Sequence, residues 1–114
     1  MSFFDSEMVR AEMVEINELQ EEVYSNVFKF PSMNPQDQLR HINILDTLIE
    51  KQKVMYTRLS LSDDPEAKKM KEHIVESASM MGIPKNANIN DFFDKMKSSI
   101  NMMRNHIDKN EFPV

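Results

Sequence analysis

Apolar positions in this chain return every three or four residues, the period of an amphipathic helix. Four stretches carry the pattern. In the first, about residues 6–28, Val9, Met13, Ile16, Leu19, Val23 and Val27 line one side, with Glu15, Glu18 and Glu22 opposite. Pro31 and Pro35 oppose its continuation. The second, about 35–61, opens with Asn34 as cap and Pro35 at the first helical position. Its seam is Leu39, Ile42, Leu45, Ile49, Tyr56 and Leu59, widened by Leu48 and Met55. Gln52 falls inside that seam, either fixing register in a helical pair or marking a partly exposed edge.

"SLSDDPEAKK" then interrupts the periodicity. Asp64 is placed to cap a third helix, about 65–81, with Pro65 first and Glu66 complementing the positive end of the dipole. Ala67, Met70, Ile74, Ala78 and Met81 form its stripe. Gly82 stands where a left-handed C-cap is expected, with Pro84 just after. The fourth helix, about 89–107, has Asn88 as cap and Asp91 as a capping-box variant. Phe92, Phe93, Met96, Ile100, Met103 and Ile107 give it the most regular apolar row, and "DKNEFPV" reads as a loose tail.

The pattern predicts one all-α domain over 1–114: an antiparallel hairpin of two long helices with two shorter helices packed on it. The first helix would be roughly 35 Å long at 1.5 Å per residue. Two short helices cannot cover two such long ones, so a homodimer or higher oligomer is expected to bury the remainder.

The opening "MSFFDSEMVR" puts two rings beside a chain end, where residues usually fray. Asp5 as cap would place Phe4 and Val9 at hydrophobic-staple spacing. Ser2 with Asp5 offers a competing start three residues earlier. Either way the rings have something to bury, within this chain or on another one.

Composition narrows the function. The single glycine among 114 residues excludes glycine-rich phosphate loops and argues against a hairpin-rich β protein. The absence of cysteine removes disulfides, thiolate zinc sites and cysteine nucleophiles. No run of 18 apolar residues and no signal peptide appears, so a soluble cytoplasmic protein without membrane attachment is expected. A net charge of −5 argues against phosphate-backbone binding. Eleven methionines suit a helical core or an adaptable interface.

Catalytic and metal chemistry finds little support. The residues three before His41, His73 and His106 are Gln38, Met70 and Met103, so the Glu-x-x-His pairs of di-metal bundles are missing. Asp37 and His41 are four apart and suited to a surface ion pair. Ser98 and Ser99 have no nucleophile signature around them. We therefore expect no enzyme activity, no metal and no cofactor. Residues 1–28 hold seven acids against Arg10 alone, while Lys51, Lys53, Arg58, Lys68, Lys69 and Lys71 follow in the middle. Opposite signs on separate segments can steer helix pairing.

"FFDSE" near the start and "YTRLSLSDD" at the end of the second helix resemble a small all-helical family of cyanobacteria and their phages, a domain of unknown function. The similarity spans nearly the whole chain. It implies the same order of helices, and no activity, ligand or catalytic residue comes with it. The expected function is a non-enzymatic interaction or regulatory protein, in the cytoplasm of a cyanobacterium or of a phage-infected host. It would bind an unidentified protein through helix faces, with Phe3, Phe4, Glu15, Glu18 and Glu22 as contact residues. A virion structural component is the alternative. Weak nucleic-acid binding through Lys68, Lys69 and Lys71 is a third reading.

Overall fold

The computed structural model describes residues 2–80 and 82–109. Its helices are α1 (Glu7–Asn26), α2 (Pro35–Leu61), α3 (Pro65–Met80) and α4 (Ile89–Asp108). Two 3₁₀ segments, Phe3–Asp5 and Val27–Ser32, precede and follow α1. Among the described residues the chain is all-α, with no strand.

Local chemistry sets the boundaries. Asn34 caps α2 by accepting from the Asp37 N–H at 2.8 Å, and Pro35 supplies the first helical residue. Asp64 caps α3 through the Glu66 N–H at 2.9 Å. At the other end of α3, Gly82 has φ +95°. The Gly82 N–H donates to the Ser79 carbonyl and the Ile83 N–H to that of Ala78, which is a Schellman closure. Asn88 caps α4 through the Asn90 N–H, so its side chain engages the second helical residue and not Asp91 as the capping-box reading expected.

The start of α1 differs from expectation. Asp5 is not its cap: Ser6 is, with Oγ accepting from the Val9 N–H. Asp5 is already committed to Ser2, whose hydroxyl and backbone N–H form a capping box around the Phe3–Asp5 turn. The competing start won, and α1 begins one residue after it. The far end also falls short, at Asn26 and not near residue 28. Pro31 has no N–H to offer the Val27 carbonyl, so the α ladder stops and the chain tightens into 3₁₀ turns. Val27 leaves the apolar stripe there and is exposed.

The packing centres on α2. Its Lys51 and Arg58 pair with Glu15 and Glu12 of α1, and its Lys53 and Glu50 pair with Asp94 and Lys97 of α4. In both sets the numbers rise on one helix as they fall on the other, so α2 runs antiparallel to α1 and to α4. On a helical wheel the two sets lie roughly a third of a turn apart on α2. The expected hairpin is present. The fourth helix, at 20 residues, is as long as α1.

Two apolar clusters result. In the larger, Ile42, Ile49 and Tyr56 of α2 meet Ile89, Phe93, Ile100 and Ile107 of α4. In the smaller, Val9 of α1, Met55 and Leu59 of α2 and Ala67 of α3 meet, with Phe3, Phe4 and Met13 packed against them. Ile74 of α3 touches both clusters, while Val75 and Ala78 touch the larger alone. Helix α3 thus crosses α2 from the α1 side to the α4 side. At the opposite end of α2, Phe30 packs on the larger cluster and against the His41 ring, centroids 5.5 Å apart. The molecule measures 49 × 31 × 19 Å, about two helices thick. Met81 of the predicted α3 stripe and residues 110–114 of the predicted tail lie outside the described residues.

Candidate interaction surface

Helices α1 and α4 flank α2 without closing over it, and α3 covers only part of the gap. What stays open is a groove of about 330 Å³. Gln52, Met55, Tyr56 and Leu59 of α2 form its floor. Met13, Ile16, Asn17 and Gln20 of α1 form one wall, while Met70 and Ile74 of α3, Phe93 of α4 and Phe4 complete the rest. The spacing of the α1 set, three or four residues apart, puts all four on one side of that helix.

The groove holds no acidic or basic side chain; its polar groups are the amides of Asn17, Gln20 and Gln52 and the Tyr56 hydroxyl. Of the two readings of Gln52, the exposed-edge one holds: it is half-buried on the groove floor. The buried amide is instead Gln38, whose Nε2 donates to the Phe30 carbonyl at 3.1 Å. That bond, with the Phe30–His41 ring contact, fixes the 3₁₀ segment as the end stop of the packed face.

Charge gathers elsewhere. Lys97 donates to Glu50 at 2.7 Å, and Lys53 to Asp94 at 2.9 Å; these bonds push both lysine pKa values up. Arg104 bonds Asn43 at 3.0 Å and approaches Asp46 at 3.4 Å. These pairs stitch α2 to α4 and leave their lysines and arginine committed. Asp64 accepts from the Phe3 N–H as well as from Glu66, and those backbone bonds hold its carboxyl below the usual carboxylate range. His41 is buried, and burial lowers its pKa against the opposing pull of Glu22. The surface pair expected between Asp37 and His41 is replaced: Asp37 pairs with Arg40 at 3.6 Å while His41 turns inward beside Phe30.

The residues singled out from the sequence are dispersed. Phe3 and Phe4 meet edge to face, centroids 5.2 Å apart, and pack half-buried on the smaller cluster; Phe4 also lines the groove. Glu15 is engaged by Lys51. Glu22 lies near His41 in a shallow polar depression with Asp37 and Arg40. Glu18 is exposed and, among the described residues, unpaired. Lys68 and Lys71 share their surface with Glu72 and Glu76, which interrupts any continuous basic patch. No group of three His or acidic side chains among the described residues could hold a metal ion, and no described helix is long and apolar enough to cross a membrane.

Two features were not anticipated. One is the groove, because its openness depends on where α3 crosses. The other is the exposure of Tyr24 and Phe28, at 69% and 93%. Their only sequence signal is that neither belongs to the Val9–Val23 row.

Residues 1–107 match the family model described as Domain of unknown function (DUF1825). The chain belongs to that family. The DUF1825 match takes in every helix up to Ile107, the last buried residue of α4, so the groove lies wholly inside it. No curated protein and no solved structure gives a significant match.

Proposed function

We propose that this DUF1825 chain is a non-enzymatic interaction protein that receives a helical segment of another protein in the α1–α2–α4 groove. The observation that supports this reading is the groove's lining: three methionines, aromatic and aliphatic side chains, and the neutral amides of Asn17, Gln20 and Gln52. Methionine adapts to differently shaped apolar side chains, and an amphipathic helix anchors in such a groove through residues at i, i+3 or i+4 and i+7. The volume suits a few apolar side chains, and the amides can bond exposed polar groups on the incoming helix.

The setting we assign is a cyanobacterial cell or a phage-infected one, from the "FFDSE" and "YTRLSLSDD" stretches. The test is capture from that cytoplasm with the intact chain and with Gln52→Glu, which places a charge on the apolar floor at nearly constant size. A partner held by the wild type and lost by Gln52→Glu supports the reading. A partner held equally by both sets the groove aside. Recovery of the chain only in purified phage particles would favour a virion component instead.

A further inference from the structure

Three helices each send one methionine into the groove: Met13 from α1, Met55 from α2 and Met70 from α3. Their exposure differs. Met13 and Met70 are half-buried and stay open to small solutes, whereas Met55 is only 8% exposed. Leucine would fill the same walls, since the two residues interchange in apolar packing with little loss. What methionine adds is a thioether sulfur that a peroxide can reach and oxidise.

The donors beside these sulfurs are idle. The amides of Asn17, Gln20 and Gln52 have no hydrogen-bond partner among the described residues. Asn17 stands one turn from Met13 on the same side of α1, and Gln52 stands three residues before Met55 on α2. A reduced thioether is a weak acceptor for such N–H groups. A sulfoxide oxygen is a much stronger one. Hydrogen peroxide supplies that oxygen: its O–O bond breaks, an S–O bond forms, the sulfur is oxidised by two electrons and water leaves. The product is polar, and sulfoxide reductases reverse it.

We propose that Met13 and Met70 form a peroxide-sensitive switch on the groove. As sulfoxides they engage the idle amides and turn an apolar wall polar, so the groove no longer accepts apolar side chains; reduction reopens it. This inference rests on the groove being a docking site. The fold outlasts the change, because the buried members of the cluster beneath are Val9, Met55, Leu59 and Ala67, and neither Met13 nor Met70 is among them. Met8, Met80 and Met102 are exposed outside the groove and provide the internal control.

The test uses hydrogen peroxide as oxidant and N-phenyl-1-naphthylamine, a neutral apolar fluorophore, as the groove ligand. Each chain is compared with its own untreated form. Peptide mass spectrometry should find an added oxygen on Met13 and Met70 before Met55 gains one. Dye affinity should then fall roughly tenfold, the factor that one poorly satisfied polar group costs. Far-ultraviolet helicity should be retained, and methionine sulfoxide reductases should restore the affinity. The double variant Met13→Leu/Met70→Leu should hold its own affinity through the treatment, while Met8→Leu/Met80→Leu/Met102→Leu should lose it as the wild type does. Equal loss in the double variant, no loss in the oxidised wild type, or helicity lost on oxidation would overturn the switch. Dye uptake that is absent, or indifferent to Gln52→Glu, would remove the groove reading and the switch together; uptake that depends on Gln52 and ignores peroxide would remove the switch alone.

Discussion

Helices α1 and α4 are both 20 residues long, and both run antiparallel to α2. They are used differently. Helix α4 buries Ile89, Phe93, Ile100 and Ile107 in one straight row, and its charges are tied to α2 by Lys53–Asp94, Lys97–Glu50 and Arg104–Asn43. Helix α1 buries only Val9 and Val23. Its groove wall is half open, and its outer side is exposed. The difference teaches that α4 supplies the rigidity of the fold, while α1 leaves much of its surface exposed.

Core truncation should separate the two helices most clearly. Ile100→Ala removes a side chain that is 2% exposed, and it should cost about 2–5 kcal/mol in urea unfolding. Val23→Ala should cost about 1.5 kcal/mol, from the lost transfer free energy of two methyl-sized groups. Equal costs would mean that α1 is as much a strut as α4.

The junction between the α1 region and α3 should come next. Asp64→Ala removes the α3 cap and the acceptor of the Phe3 N–H, and should lower the urea midpoint by less than Ile100→Ala does. Because the folded-state pKa of Asp64 is depressed, its contribution is present above its ordinary value of 3.8 and is lost as pH falls through the lower folded value. Acid unfolding of wild type and variant should therefore converge at low pH.

His41 sharpens the comparison in another pH window. Its folded pKa lies below 6.5, so the unfolded chain takes up the proton first. Stability should fall as pH drops through about 6.5 toward the folded value, and His41→Gln should flatten that slope. A variant whose pH profile matches the wild type would show that burial at the Phe30 end is weaker than described.

The smallest effect belongs to the exposed side of α1. In dilute protein, Tyr24→Ala should change stability by no more than about 0.5 kcal/mol, measured by thermal unfolding. A larger loss would mean that Tyr24 supports the fold despite its exposure.

Where a residue pair has one conformational use, the architecture was legible. Asn34–Pro35 and Asp64–Pro65 opened helices where expected, and Gly82 closed one with a positive φ. The ends of α1 were not, because two local solutions competed there. The Ser2–Asp5 box took the acid that was to cap the helix, and Pro31 turned its last residues into 3₁₀ structure. The candidate surface was less legible still. Met13, Met55 and Met70 read as core from their periodicity, and only the crossing of α3 leaves them lining an opening. Glu15 read as a contact residue from its charge, but Lys51 sits across from it once the hairpin closes.

The double duty of Asp64 carries a practical consequence. One carboxylate clasps Phe3 and starts a helix sixty residues downstream, with the Ser2 hydroxyl bonded to Glu66 at 2.8 Å beside it. Whatever is fused, trimmed or chemically altered at the front of the polypeptide will therefore be felt at the threshold of α3, and through α3 at the mouth of the groove.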